Sequence, residues 1–105
     1  MRSISSSILD DKNQRGIGII PFITSGYPSI KLSKDIILNL IEEKLCSAIE
    51  VGIPFSDPIA EGKTIQKSSS VALKNGVTID NTLRMISDIN ENNPNKTPIV
   101  SMGYY

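Results

Sequence analysis

Short, unbroken apolar runs alternate with helical stripes along this chain, and that alternation constrains its fold more than any other feature. The runs are "IGIIPFIT" (17–24), "SAIEVGI" (47–53) and the start of "PIVSMGYY" (98–105). Each is bounded by turn or breaker residues, which predicts three short buried strands. After the first run, Ser29 can cap a helix whose apolar residues Leu32, Ile36, Ile37, Leu40 and Ile41 recur at helical spacing. "KTIQKSSSVALKN" (63–75), closed by Gly76, predicts another helix, and the stripe Ile79, Leu83, Ile86 and Ile89, capped by Thr78, a third. Ahead of all these, Ile4, Ile8 and Leu9 mark a short lid helix over residues 3–15.

Strands that read as continuous apolar runs are covered on both faces, and strands that alternate with helices lie parallel. Right-handed crossovers then leave an open doubly wound sheet or a (β/α)8 barrel, and spacing alone does not choose between them. Neither G-x-G-x-x-G nor a Walker-type loop follows the first strand, which weakens a dinucleotide or P-loop reading.

The 105 residues suffice for one small domain. Eleven basic and eleven acidic residues cancel and are scattered, so nothing suggests a nucleic-acid or membrane partner. A small molecule or another protein is the expected partner. The single cysteine, Cys46, reads as a buried spectator thiol and points to a reducing compartment. Histidine is absent, which removes most zinc sites and the Ser-His and Cys-His nucleophile pairs; no metal is expected. Acid–base chemistry falls to carboxylates, Tyr, Lys or Cys46. The N-terminus has no apolar signal segment, and no window approaches the roughly 18 apolar residues of a membrane helix.

In either architecture ligands gather at the C-terminal ends of the strands. Two acids stand there. Glu50 sits inside the second apolar run, where a buried carboxylate is costly unless paired and where loss of water favours proton-transfer chemistry. The blander alternative is a side chain in solvent or paired with a lysine. Glu61 precedes a predicted helix, where an acid commonly serves the positive end of the helix dipole. Between them Gly52 permits a tight exit from the strand, and Pro54 and Pro58 stiffen a loop carrying Phe55, Ser56 and Asp57.

The run "IEVGIPFSDPIAEGKTIQ" resembles the signature of the tryptophan synthase alpha subunit family. "PFITSGYP" is similar to that family's first strand and loop, "KNGVTIDNTLRMI" to its second helix pair, and "PIVSMGYY" to its third strand. The resemblance implies a (β/α)8 barrel that cleaves indole-3-glycerol phosphate to indole and glyceraldehyde 3-phosphate, a retro-aldol reaction needing no cofactor. It implies that Glu50 is the acid/base for the indole C3 and the glycerol hydroxyl, and that Glu61 holds the indole N–H. It further implies that Phe22 packs on the indole, that Tyr104 lines the pocket, and that Pro54, Asp57 and Pro58 lie where the beta subunit docks. The expected assembly contains two alpha and two beta subunits, in the cytoplasm or, if plastid-encoded, the plastid stroma.

The alternatives are another phosphate-handling barrel lyase, or a non-catalytic fragment that keeps the docking loop. Three positions depart from the family pattern: Glu61 replaces the usual Asp and reaches one methylene further, Lys63 stands where Pro is common, and "EEKLCSA" lacks a common Gly. The similarity spans about the first two-fifths of the family's usual length. Residues 1–105 are therefore expected to be an incomplete N-terminal part of one barrel domain, without the later glycine-rich loops that hold the substrate phosphate. Such a chain is expected to be unstable or to aggregate alone, and to show no measurable cleavage.

Overall fold

The computed structural model describes residues 3–56, 62–93 and 95–104. Within them the elements run α1 (Ile4–Arg15), β1 (Phe22–Thr24), α2 (Ile30–Glu42), β2 (Ile49–Gly52), α3 (Lys63–Lys74), α4 (Ile79–Glu91) and β3 (Ile99–Met102). The strands form one parallel sheet in the order β1-β2-β3. Phe22, Glu50 and Val100 share one cross-strand row, and Thr24, Gly52 and Met102 share the row two residues further on. Both rows point to the same face, because side chains alternate along a strand.

The first strand is shorter than its apolar run. Pro21 has no N–H to give to a ladder. Pairing nonetheless continues backwards through acceptors, with the Ser47 amide donating to the Ile19 carbonyl (2.7 Å) and the Glu50 amide to that of Pro21 (3.0 Å).

The core lies on the opposite face of the sheet. Ile49 and Val51 pack there with Ile37 and Ile41 of α2, Cys46, and Met85 and Ile89 of α4. Each fully buried aliphatic side chain contributes about 1.5–3 kcal/mol. The expectation that both faces are covered is corrected. Ile19, Ile20, Phe22 and Met102 remain exposed, because among the described residues no strand flanks β1 or β3.

Helix caps fall where the sequence puts them. The Ser29 hydroxyl accepts from the Leu32 amide, and Thr78 and Asn81 form a reciprocal capping box. The buried stripes differ from the apolar ones. In α2 the inward line is Ser33, Ile37 and Ile41, leaving Leu32 and Ile36 exposed; in α4 it is Thr82, Met85 and Ile89, leaving Ile79 and Leu83 exposed. Ser33 and Thr82 can turn inward because their hydroxyls are bonded, to the Gly26 amide and to the Ser25 hydroxyl.

Helix α1 docks by polar groups rather than by its apolar residues. Ser7 donates to the Ser47 carbonyl, the Ser47 hydroxyl donates to Asp11, and Arg15 pairs with Asp11 while donating to the Lys44 carbonyl. The helix therefore closes the N-terminal end of the sheet, away from the end where ligands gather. Leu9 stays in solvent.

Cys46 lies beside this network. Burial pushes its thiol above the ordinary value of 9.0, the Asp11 carboxylate pushes in the same direction, and Arg15 opposes both. A native thiol that titrates higher than the unfolded one stabilises the fold fully below the unfolded value and loses that contribution as pH rises through the native value. In a full-length barrel carrying these residues the urea midpoint is accordingly expected to fall as pH rises past the ordinary thiol value of 9.0, and to fall less when Cys46 is replaced by Ala. Equal slopes in the two proteins would refute the assignment.

Candidate active site

The β1–α2 corner borders the site and is fixed by side-chain hydroxyls and an amide. Gly26 takes a left-handed backbone at φ +86°. Its amide donates to Ser33 Oγ (3.0 Å), and Asn75 Nδ2, just past α3, donates to the carbonyls of Gly26 and Pro28 (3.0 and 2.9 Å). Ser25 Oγ meets Thr82 Oγ1 at 2.8 Å, joining the end of β1 to α4. Thr24 Oγ1 meets Ser68 Oγ at the same distance, joining β1 to α3, and Ser68 Oγ also donates to the Ile65 carbonyl. The Gly26–Ser33, Ser25–Thr82 and Thr24–Ser68 bonds are buried, where satisfied polar pairs fix geometry and unsatisfied ones are costly.

Over the C-terminal ends of the strands, on the face away from the core, lies an open cavity of about 380 Å³. Phe22 and Thr24 supply one wall, Gly52 and Ile53 the floor, Met102, Gly103 and Tyr104 the far side, and Ile65 and Ser69 of α3 the side facing the sheet. The lining is mostly apolar, with three hydroxyl-bearing residues, Thr24, Ser69 and Tyr104, of which Thr24 is bonded to Ser68. An apolar-lined space of this size fits a small, largely apolar ligand. Tyr104 is braced by Phe55, their ring centroids 5.3 Å apart and tilted by 41°.

Glu50 stands on the same face, one row nearer the strand N-termini, and does not itself line the cavity. It is half-buried, and among the described residues no hydrogen bond or ion pair engages its carboxylate. The alternative of a lysine partner thus finds no support there. Phe22 and Tyr104 both line the cavity. Pro54 is buried at the base of its loop, whereas Phe55 and Ser56 are exposed. Asp57, Pro58 and Glu61 lie outside the described residues.

Sequence reading missed Thr24, Ile53, Ile65, Ser69 and Met102 as wall residues. Met102 was findable, because it lies two residues beyond Val100 in a strand and so shares its face. Ile65 had a weaker signal, as the one apolar residue in the first turn of α3. Gly52 requires a different explanation from the one read from its loop. Its backbone is outside the left-handed region, and a Cβ placed on it would collide with the ring of Phe22.

Sequential parallel strands, α2 and α4 over one face and an aromatic-lined cavity at the strand C-termini of the other define part of a (β/α)8-barrel protein. Comparison with known proteins narrows this class. The sequence pattern of the family described as tryptophan synthase alpha chain matches residues 8–105, and this chain belongs to that family. A tryptophan synthase alpha chain from Clostridium acetobutylicum is 45% identical over 94 residues, covering 90% of this chain and 34% of that one. The crystal structure of tryptophan synthase subunit alpha from Legionella pneumophila superposes with a TM-score of 0.85 at 32% identity, covering 99% of this chain and 39% of that one. The tryptophan synthase complex from Pyrococcus furiosus contains a chain that superposes with a TM-score of 0.70 at 41% identity, covering 84% of this chain and 35% of that one. The chain spans about a third of the length of the alpha chains it matches. Among the described residues no helix is long and apolar enough to cross a membrane.

Proposed function

We propose that residues 1–105 supply the indole end of a tryptophan synthase alpha active site, the N-terminal part of one barrel domain that cleaves indole-3-glycerol phosphate to indole and glyceraldehyde 3-phosphate. The observation that carries this reading is the row Phe22–Glu50 on the open face, adjoining a cavity that fits a small, largely apolar ligand. Glu50 takes the proton from the glycerol hydroxyl next to the ring and delivers a proton to indole C3. The bond between C3 and the glycerol carbon breaks, the hydroxyl carbon becomes the aldehyde, and indole leaves. Glu61 accepts the indole N–H and stabilises the positive charge that develops on the ring. Phe22 and Tyr104 hold the ring between them.

The loop bearing Pro54, Asp57 and Pro58 docks a beta chain, a reading supported by the structural match to a tryptophan synthase complex. The test is a chimera in which residues 1–105 replace the matching part of the Clostridium acetobutylicum alpha chain. It is expected to release indole from indole-3-glycerol phosphate and to capture a beta chain, while the 105-residue chain alone gives no turnover. In the chimera, Asp57→Lys is expected to abolish capture, which Glu50→Gln leaves intact. A folded chimera that releases no indole would defeat the proposal.

A further inference from the structure

Gly52 occupies an ordinary strand conformation, so backbone freedom does not explain the absence of a side chain there. Space does. A Cβ built on Gly52 lies 2.3 Å from Phe22 Cζ, and 2.9 and 3.2 Å from the two Cε atoms. Heavy atoms in contact are normally about 3.5–4.0 Å apart. The Cα of Phe22 pairs with Glu50, one row behind. Its ring therefore reaches diagonally forward across the neighbouring strand and rests on the bare α-carbon of Gly52. Diagonal cross-strand neighbours lie within reach of aromatic side chains.

We propose that Gly52 is the positioning residue of this cavity: it seats the Phe22 ring as a flat wall and thereby sets the slot that accepts a planar aromatic ligand. The inference rests on reading the cavity as the indole end of the site. A methyl group at position 52 leaves the ring two exits, into the cavity or off the sheet edge, since Phe22 is 38% exposed. Either exit removes the flat surface against which another ring can stack.

Equilibrium dialysis with indole reports binding without relying on the protein's own fluorescence. Indole binding and urea midpoints are measured in the chimera, in its parent form and with Gly52→Ala, Phe22→Leu and both substitutions. Gly52→Ala is expected to weaken indole binding about tenfold, Phe22→Leu about threefold, and the double variant no more than about twofold beyond Phe22→Leu. In parallel, the drop in urea midpoint caused by Gly52→Ala disappears in the Phe22→Leu background. Losses that add independently in both measurements, or an unaltered Gly52→Ala chain, would overturn the proposal. If the parent chimera binds no indole, the indole reading of the cavity falls. The seat is then decided by the urea cycle alone, where an effect of Gly52→Ala left undiminished by Phe22→Leu overturns it.

Discussion

Glu50→Gln in the chimera is expected to lower the rate of indole release by about 10³-fold, within the range of about 10²–10⁴ that a positioned acid–base group contributes. Gln keeps the size and the strand geometry but can neither take the glycerol proton nor deliver one to C3. The carboxylate has no hydrogen-bond or ion-pair partner among the described residues, so the substitution unmakes no structural contact. The urea midpoint should stay within the spread typical of neutral surface changes, about 0.5 kcal/mol. Rate loss without stability loss is the signature to look for. A variant retaining more than about a tenth of the wild-type rate, below what acid–base catalysis supplies, would remove Glu50 from the chemistry.

The largest stability effect is expected at Gly26→Ala. Two costs combine there. A left-handed backbone costs a non-glycine residue about 1–2 kcal/mol, and the new Cβ would lie 2.0 Å from Cγ2 of Val77, itself 6% exposed. Val is stiff at χ1 and cannot swing its methyl aside, and overpacking of this kind costs about 1–3 kcal/mol. A total of about 3 kcal/mol is expected in urea denaturation of the chimera. Trimming Val77 to Ala in the same chain should recover part of the packing cost and none of the backbone cost. A Gly26→Ala variant within about 0.5 kcal/mol of the parent, the spread of neutral substitutions, would show that the corner yields.

Much of the fold was legible in the sequence because it is written in apolar runs and caps. The central strand around Ile49 and Val51, the caps Ser29 and Thr78 and the order of elements all follow from such signals. The inward helix faces were not legible. Ser33, Thr82, Ser7 and Asp11 are buried, and a hydrophobic pattern assigns such residues to water. Thr82, Ser7 and Asp11 turn inward because partners 57, 40 and 36 positions away receive them, and no local window contains those partners; Ser33 is received by the Gly26 amide, seven positions away across the β1–α2 corner. Gly52 shows the same limit: read among its neighbours it looks like a turn residue, whereas its reason is a ring 30 positions earlier in sequence. Phe22 and Tyr104, named from the family resemblance, line the cavity, but its α3 wall of Ile65 and Ser69 emerges only when β1 and α3 are brought together.

The hydroxyl ties around the β1–α2 corner carry a thermal consequence. Apolar burial loses driving force on cooling, so the sheet face packed against α2 and α4 loosens in the cold. Thr24, Ser25 and Gly26 are held instead by directed bonds to Ser68, Thr82 and Ser33. Ser33 and Thr82 belong to α2 and α4 themselves, so the cavity's edge is coupled to the core and follows those helices when they shift, with only the Thr24 tie to Ser68 of α3 standing apart.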